Sequence, residues 1–343
     1  MMFGLLDRSI FRASLQGMLA VILVICAIDF LFSLLDEMSA LSDDYLVGDA
    51  LLQVAASLPR QVIEFSSVAS LIGALLVLGI MAGNSELVVI QAAGWSKVRV
   101  IAPALLASIV ISGLSVLNAE YLVPRAGQIK AAVVDDTANG VWFRDGQYFA
   151  HVGQMLQDGE MRNLTLFAVQ DQLQEIKAAK TATFNTDSKT WILSNVKTTA
   201  FKGSYLESTN KARDYWRSEA TPDELLFIAR PVDSLSLSQL VRFIEYRSSQ
   251  GLESQRYRLS LWKSLLQPSA NLIMVLLASS LVFGSMRMVS MGYQITLGLM
   301  YGLGFYYLQD LCGFLSLVYN FHPIITLLCP QIVFLGLAIW RFT

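Results

Sequence analysis

The sequence has few of the residues that carry catalytic or metal chemistry. It contains two histidines, His151 and His322, and three cysteines, and none of them belongs to a spacing typical of a zinc site or a metalloprotease. No Ser, His and Asp arrangement can be nominated, and no Gly-x-x-x-x-Gly-Lys-Ser/Thr phosphate loop occurs. We therefore expect no catalytic residue, no metal site and no cofactor bound by this chain.

Charged residues are also scarce, and long apolar runs take their place. Only 15% of the 343 residues are charged and 54% are hydrophobic, which is too apolar for a water-soluble domain of this length. The 25 Lys and Arg form no long basic run, so we expect no nucleic-acid partner. A membrane-spanning helix needs about 20 mostly apolar residues. Six stretches qualify, at about residues 13–35, 62–83, 100–123, 261–286, 288–311 and 321–340.

The positions of the basic residues predict the orientation of these spans. Cytoplasmic loops of membrane proteins carry an excess of Lys and Arg. A cytoplasmic N-terminus places six basic residues inside: Arg8, Arg12, Lys97, Arg99, Arg287 and Arg341. The loop after the first span is acidic, with Asp36, Glu37, Asp43, Asp44 and Asp49 against Arg60. We therefore predict that both termini are cytoplasmic and that the long segment between the third and fourth spans lies outside.

That long segment, at about residues 125–255, has the texture of an all-β domain. Asp145-Gly146 suits a tight turn between two alternating runs within 141–152, which predicts a hairpin. Further short strands are predicted at 164–169, 174–184, 190–196 and 205–217, with the spacing of an antiparallel sandwich or jelly roll. A helical period at 236–248 predicts a connecting helix. The chain is thus divided into spans one to three at 1–124, a β domain at 125–255 and spans four to six at 256–343.

The loop between the second and third spans contains a predicted short amphipathic helix at about 84–94. Asn84 or Ser85 can cap it, Glu86 complements its dipole, and Gly94 can close it in the left-handed conformation. One interpretation is a docking element for a cytosolic partner, to which Glu86 is offered. A plain interfacial connector is an equally good interpretation of the pattern.

Several motifs together resemble one family of membrane proteins. They are Leu6-Asp7-Arg8-Ser9-Ile10, the stretch from Ser85 to Gly94, the hairpin from Gly140 to Gly146, the stretch from Tyr257 to Pro268, and Leu281 to Gly284 followed by Arg287. Their order and spacing resemble those of the lipopolysaccharide-export permeases of the LptF/LptG family across nearly the whole chain. The first two motifs lean toward the LptG branch of that family.

The resemblance implies a role as a permease subunit of an ABC-type exporter in the bacterial inner membrane, with the β-jelly-roll domain in the periplasm. Such a permease pairs with an LptF-like permease, an LptB-like ATPase dimer and an LptC-like protein, and it passes lipopolysaccharide toward a periplasmic bridge and the outer membrane. ATP and magnesium then belong to the partner ATPase. The short helix becomes the coupling helix, with Ser85, Glu86, Leu87, Ile90 and Gly94 as its candidate contacts.

The implied cargo carries acyl chains beneath a phosphorylated headgroup, so its cavity should be apolar at depth and basic at the periplasmic rim. Candidate rim residues are Arg60, Arg125 and Lys130, which can equally be ordinary anchors whose charged ends reach the membrane surface. Other candidate substrate-binding residues are Asp29, Ser33, Tyr301 and Phe305. The first span lacks the lysines that related proteins carry near its outer end, which puts headgroup contact by that helix in doubt.

Three other classes compete with this reading. A membrane enzyme lacks candidate catalytic residues. A proton-coupled carrier is suggested by Asp29 and Glu64, but such carriers usually show internal repeats and interrupted helices. An ABC permease for another lipid or a lipoprotein remains an alternative, although such exporters generally have four spans around a large periplasmic domain.

Overall fold

The fold is described here from a computed structural model of the chain. It describes residues 4–39, 46–133, 140–146, 148–155, 159–169, 173–186, 188, 190–202, 205–218, 222, 225, 232–249, 254–283 and 291–342. Two units can be distinguished. One comprises Met1–Lys130 and Val232–Thr343 and is helical, whereas the other, Ala131–Pro231, contains a β-sheet.

Long helices precede the sheet. In chain order they are α1 (Leu5–Met38), α2 (Val47–Gly83), the short α3 (Glu86–Ala92), α4 (Lys97–Leu117), a π-helical segment (Asn118–Leu122) and α5 (Val123–Val133). After the sheet follow a 3₁₀ turn (Val232–Ser234), α6 (Leu237–Ser249), α7 (Gln255–Phe283), α8 (Met291–Val318) and α9 (Pro323–Phe342). Helices α1 and α2 begin before the predicted spans because polar and charged residues continue them beyond the apolar stretch; α2 begins 15 residues before the predicted start at 62.

Among the described residues, five helical stretches are long and apolar enough to cross a membrane. They are Leu5–Met38, Val47–Gly83, Lys97–Lys130, Gln255–Phe283 and Pro323–Phe342. Helix α8 overlaps the fifth predicted span and has 28 residues that include tyrosines, glutamines and Asp310, and it is not among these five stretches. The structure therefore supports a multi-spanning helical protein and leaves the sixth span as a prediction.

The helical unit has a continuous apolar core to which α1, α2, α3, α4, α7, α8 and α9 all contribute. Helix α2 is the central element, since it packs against α1, α4, α7 and α8. Helices α1 and α9 are mostly exposed within this chain, as their low buried fractions show. An exposed apolar helix needs lipid or another helix around it.

The β unit contains a six-stranded antiparallel sheet in which consecutive strands are neighbours. The strands are β1 (Val141–Asp145), β2 (Tyr148–Met155), β3 (Met161–Val169), β4 (Leu173–Asn185), β5 (Thr190–Lys202) and β6 (Tyr205–Arg217). The predicted hairpin is present, and Asp145 pairs with Tyr148 at its end. Gly146 in the turn has φ +56°, a backbone conformation that glycine adopts more easily than residues with a side chain.

The sheet is strongly curled. Phe143 lies on the first strand and Trp216 on the last, yet their ring centroids are only 6.1 Å apart. Trp191, Leu193 and Trp216 lie in the buried core that this curvature encloses. A curled meander agrees with the predicted antiparallel domain, whereas the jelly-roll arrangement stays a prediction.

The predicted connecting helix is α6, which begins one residue after its predicted start. Ser236 caps it: its backbone N–H donates to Gln239 Oε1 at 3.0 Å, and its hydroxyl accepts from the Gln239 N–H at 3.2 Å. Helix α6 packs against α7 and belongs to the helical unit, whereas the sequence grouped it with the β domain.

Candidate functional site

The short helix α3 is positioned by the residues that flank it. Ser85 occupies its N-cap position, but with φ 60° and without a side-chain cap, and the Asn84 side chain instead donates to Glu86 Oε1 at 3.2 Å. Gly94 has φ +90°, the left-handed conformation that the sequence predicts. Beyond it, the Arg99 guanidinium stacks on the Trp95 ring at 3.9 Å.

The two faces of α3 have different roles. Leu87 and Ile90 are only 3% and 8% exposed and belong to the core of the helical unit. Val88 and Val89 are exposed on the opposite face, and Glu86 is exposed at the start of the helix. A seven-residue helix is too short to be stable alone, so the buried pair must hold it in place. The exposed side chains are accessible to a partner protein, and two of them, Val88 and Val89, were not among the contacts predicted from the sequence.

A polar pocket lies where α2, α7 and α8 meet. Its lining includes Arg60, Glu64, Lys263, Ser264, Tyr306 and Gln309. Arg60 Nε donates to Glu64 Oε1 at 2.9 Å, and Arg60 Nη2 lies 3.3 Å from Asp233 Oδ1 on the 3₁₀ turn. Lys263 Nζ lies 3.4 Å from Asp310 Oδ1. Charges of both signs are thus gathered at one end of the helical unit.

Gln309 is the pocket residue whose hydrogen bonding is incomplete. Its side chain is buried, and its Nε2 has no acceptor among the described residues. A buried donor without a partner costs about 1–3 kcal/mol. The pocket has room for about one water molecule, which can accept this hydrogen bond.

The remaining predicted site residues fall in different surroundings. Arg125 and Lys130 are exposed on α5, and Asp29 and Ser33 are half-buried on α1. Tyr301 is half-buried on α8. Phe305 is fully buried, and its ring lies 5.2 Å from that of Phe334 in an edge-on contact, so within this chain it is a core residue.

Arg60 is the predicted residue that the structure brings into a cluster with other polar groups. Lys263, Gln309 and Asp233 were missed because each comes from a different element far along the chain. The only sequence signal was local: Lys263 and Asp310 are single charges within otherwise apolar stretches, which is costly unless they face a partner or water.

The described helices and the sheet inserted between them define a multi-spanning helical membrane protein with an antiparallel β unit. The family model of the lipopolysaccharide export system permease LptF/LptG matches residues 8–343. The chain belongs to this family, and the resemblance carried by its motifs is confirmed.

Individual relatives agree. The lipopolysaccharide export system permease protein LptG of Escherichia coli strain K12 is 30% identical over 351 residues, which cover 98% of each chain. The LptG protein of Haemophilus influenzae strain Rd is 26% identical, over 99% of this chain and 98% of its own. The similarity therefore includes both the helices and the β unit.

Proposed function

We propose that this chain is a permease subunit of an ABC-type exporter that takes lipopolysaccharide from the inner membrane and passes it to a periplasmic bridge. The observation that carries the proposal is family membership over nearly the full length of chain and relatives alike. It is also the reason to prefer this function to an exporter of another lipid or to a proton-coupled carrier.

The proposed topology has six spans, with α8 as the fifth. Both termini and α3 then face the cytoplasm, and the β unit faces the periplasm. An even number of crossings agrees with the basic residues near α3 and the acidic loop after α1. Lipid on one side and a second permease on the other would cover the exposed apolar surfaces of α1 and α9.

The proposed coupling mechanism depends on α3. The partner ATPase hydrolyses ATP with magnesium, and its movement is transmitted through the exposed face of α3. Because Leu87 and Ile90 are packed in the core, a push on Glu86, Val88 or Val89 displaces the helical unit rather than the short helix alone. The buried pair contributes by anchoring this helix.

The proposed cargo contacts lie at the other end of the helices. Arg60 contacts the phosphorylated headgroup, with Arg125 and Lys130 as further cations, because guanidinium and ammonium groups bind phosphate well. Tyr301, Asp29 and Ser33 are proposed to line the route of the lipid. An LptF-like permease supplies the second wall, and an LptC-like protein receives the cargo.

The test is to purify complexes through this chain. We expect a second permease of similar size and a pair of ATPase subunits to copurify. Glu86→Ala should weaken ATPase association or uncouple hydrolysis from lipopolysaccharide release, whereas Glu245→Ala, an exposed glutamate on α6, should do neither. A stable monomer without an ATPase would refute the proposal.

A further inference from the structure

Two carboxylates hold the Arg60 guanidinium in very different ways. Glu64 lies one turn further along the same helix and is largely buried with Arg60, as their side-chain exposures of 26% and 20% show. Asp233 reaches Arg60 from a separate segment, and its side chain is 73% exposed. An exposed ion pair is weak, because water and salt compete with it. Of the two partners, Asp233 is therefore the one that can be exchanged.

The segment that carries Asp233 is fastened without the help of its carboxylate. Gly127 faces Ser234 so closely that an added Cβ would lie 2.4 Å from Ser234 Cβ. Further along, the Ser238 N–H donates to Glu120 Oε2 at 3.1 Å, and the Ser238 hydroxyl donates to Glu120 Oε1. Asp233 can therefore rotate away from Arg60 while the backbone around it stays in place.

Two cations, Arg60 and Lys263, and one carboxylate, Glu64, line the pocket behind this contact. Asp310 and Asp233 pair with these cations from outside the lining, with side chains that are 67% and 73% exposed. Glu64 accepts from Arg60 Nε, whereas Asp233 lies at Arg60 Nη2. A guanidinium has five N–H donors, so an anion with several oxygens can replace Asp233 at Nη2 and accept more than one of them.

We propose that Asp233 is a built-in competitor for the anionic headgroup: it holds Arg60 while the permease is empty, and a lipid phosphate takes its place. This inference rests on the proposed function. A phosphate monoester carries about −1.5 to −2 charge and three acceptor oxygens. It therefore outcompetes one exposed carboxylate, whereas a singly charged or neutral lipid gains less from the exchange. Asp233 thus sets a threshold of headgroup charge for entry.

The test uses the assembled complex in detergent and measures its affinity for lipopolysaccharide with phosphorylated lipid A and for the same material after enzymatic dephosphorylation. Asp233→Asn should bind the phosphorylated form about two- to fivefold more tightly than wild type, the range expected for an exposed ion pair. Binding of the dephosphorylated form should not change. Asp233→Ser should behave alike, and Glu245→Gln, which removes another exposed carboxylate from the same unit, should leave both affinities unchanged.

Arg60→Gln provides the second control, since Asp233→Asn should bring no gain in that background. Inorganic phosphate at constant ionic strength should weaken lipopolysaccharide binding more in Asp233→Asn than in wild type. Unchanged or weaker binding by Asp233→Asn, or an equal gain for both forms of the lipid, would overturn the inference. Phosphate that binds the variant without displacing the lipid would also overturn it. A wild-type complex that binds neither form would instead refute the proposed function.

Discussion

Helices α1 and α2 approach each other so closely that one added methyl group should separate them. A Cβ placed on Gly73 would lie 2.6 Å from both the N and Cα atoms of Met18 and 2.9 Å from the carbonyl carbon of Gly17, where ordinary contacts are 3.4–4 Å. These are backbone atoms, so no side-chain rotation can relieve the overlap. The two helices must move apart by about 1 Å and lose packing around the contact.

The cost can be isolated with a matched variant. Gly113 is exposed on α4, and a Cβ there meets nothing within 4 Å. Gly113→Ala should therefore raise the free energy of unfolding only through the higher helix propensity of alanine, by about 1 kcal/mol at most. Gly73→Ala has the same gain but adds overpacking of about 1–3 kcal/mol. In mixed-micelle unfolding followed by tryptophan fluorescence, we expect Gly73→Ala to be less stable than Gly113→Ala by about 1–3 kcal/mol.

The comparison also has a functional readout. If α1 must remain close to α2 for transport, Gly73→Ala should lower lipopolysaccharide release by the complex more than Gly113→Ala does. Equal free energies of unfolding for the two variants would refute the close approach itself. Equal release despite unequal stability would show that the contact is structural.

Two further predictions concern polar contacts. Although burial disfavours its charge, Asp214 has a lowered pKa because it accepts hydrogen bonds from Lys177 Nζ at 3.0 Å and from the Tyr215 N–H. The ionised carboxylate of Asp214 should stabilise the β unit fully above about pH 4, and this stabilisation should be lost as the pH falls further. Amide hydrogen exchange in the β unit should therefore be faster in Asp214→Asn than in wild type at pH 7, and the two exchange rates should become equal in acid. Glu120→Gln should weaken the hydrogen bonds that Ser238 donates at the start of α6, which should destabilise this helix by about 1 kcal/mol. Amide hydrogen exchange should then be faster in the first turn of α6 but unchanged in α9.

The parts of the fold that could be predicted are those that depend on residues close together in the sequence. Apolar runs identified the long helices, and the Asp145-Gly146 pair identified the hairpin. Helix ends were less accurate, because charged residues such as Asp49 extend α2 beyond the apolar run that marks a span. The curvature that brings Phe143 to Trp216 depends on the whole sheet, and no single strand encodes it.

The candidate sites show the same division. The location of α3 and its closure at Gly94 followed from the sequence, but its orientation did not. Leu87 and Ile90 are three residues apart on one helical face, and the sequence cannot tell whether that face meets a partner or the chain's own core. Only the packing shows that it is the core. Likewise, the pairing of Arg60 with Glu64 is an i, i+4 contact visible in the sequence, whereas the pairing of Arg60 with Asp233 joins residues separated by about half of the chain.

A buried polar network joins the helices that precede the β unit to those that follow it. Asn271 on α7 donates to Ser112 Oγ on α4 at 3.0 Å and accepts from Ser66 Oγ on α2 at 3.2 Å. Gln267 donates to the same Ser66 hydroxyl at 2.9 Å and to the Ile63 carbonyl at 3.1 Å. Lipid is as apolar as the helix surfaces, so hydrophobic burial gives little reason for these helices to associate. Polar contacts and close packing must do so instead.

Asn271→Leu should therefore loosen the junction between the two halves of the helical unit. It removes two interhelical hydrogen bonds, each worth about 0.6 kcal/mol on average in membrane proteins and up to about 1.7. We expect Asn271→Leu to lower the free energy of unfolding in mixed micelles by about 1–3 kcal/mol. Ser112→Ala should lower it less in the Asn271→Leu background than in wild type, because both substitutions remove the same hydrogen bond. Full additivity of the two substitutions would mean that the hydrogen bond between Asn271 and Ser112 contributes nothing, and the polar part of the association would then have to come from the Gln267 hydrogen bonds.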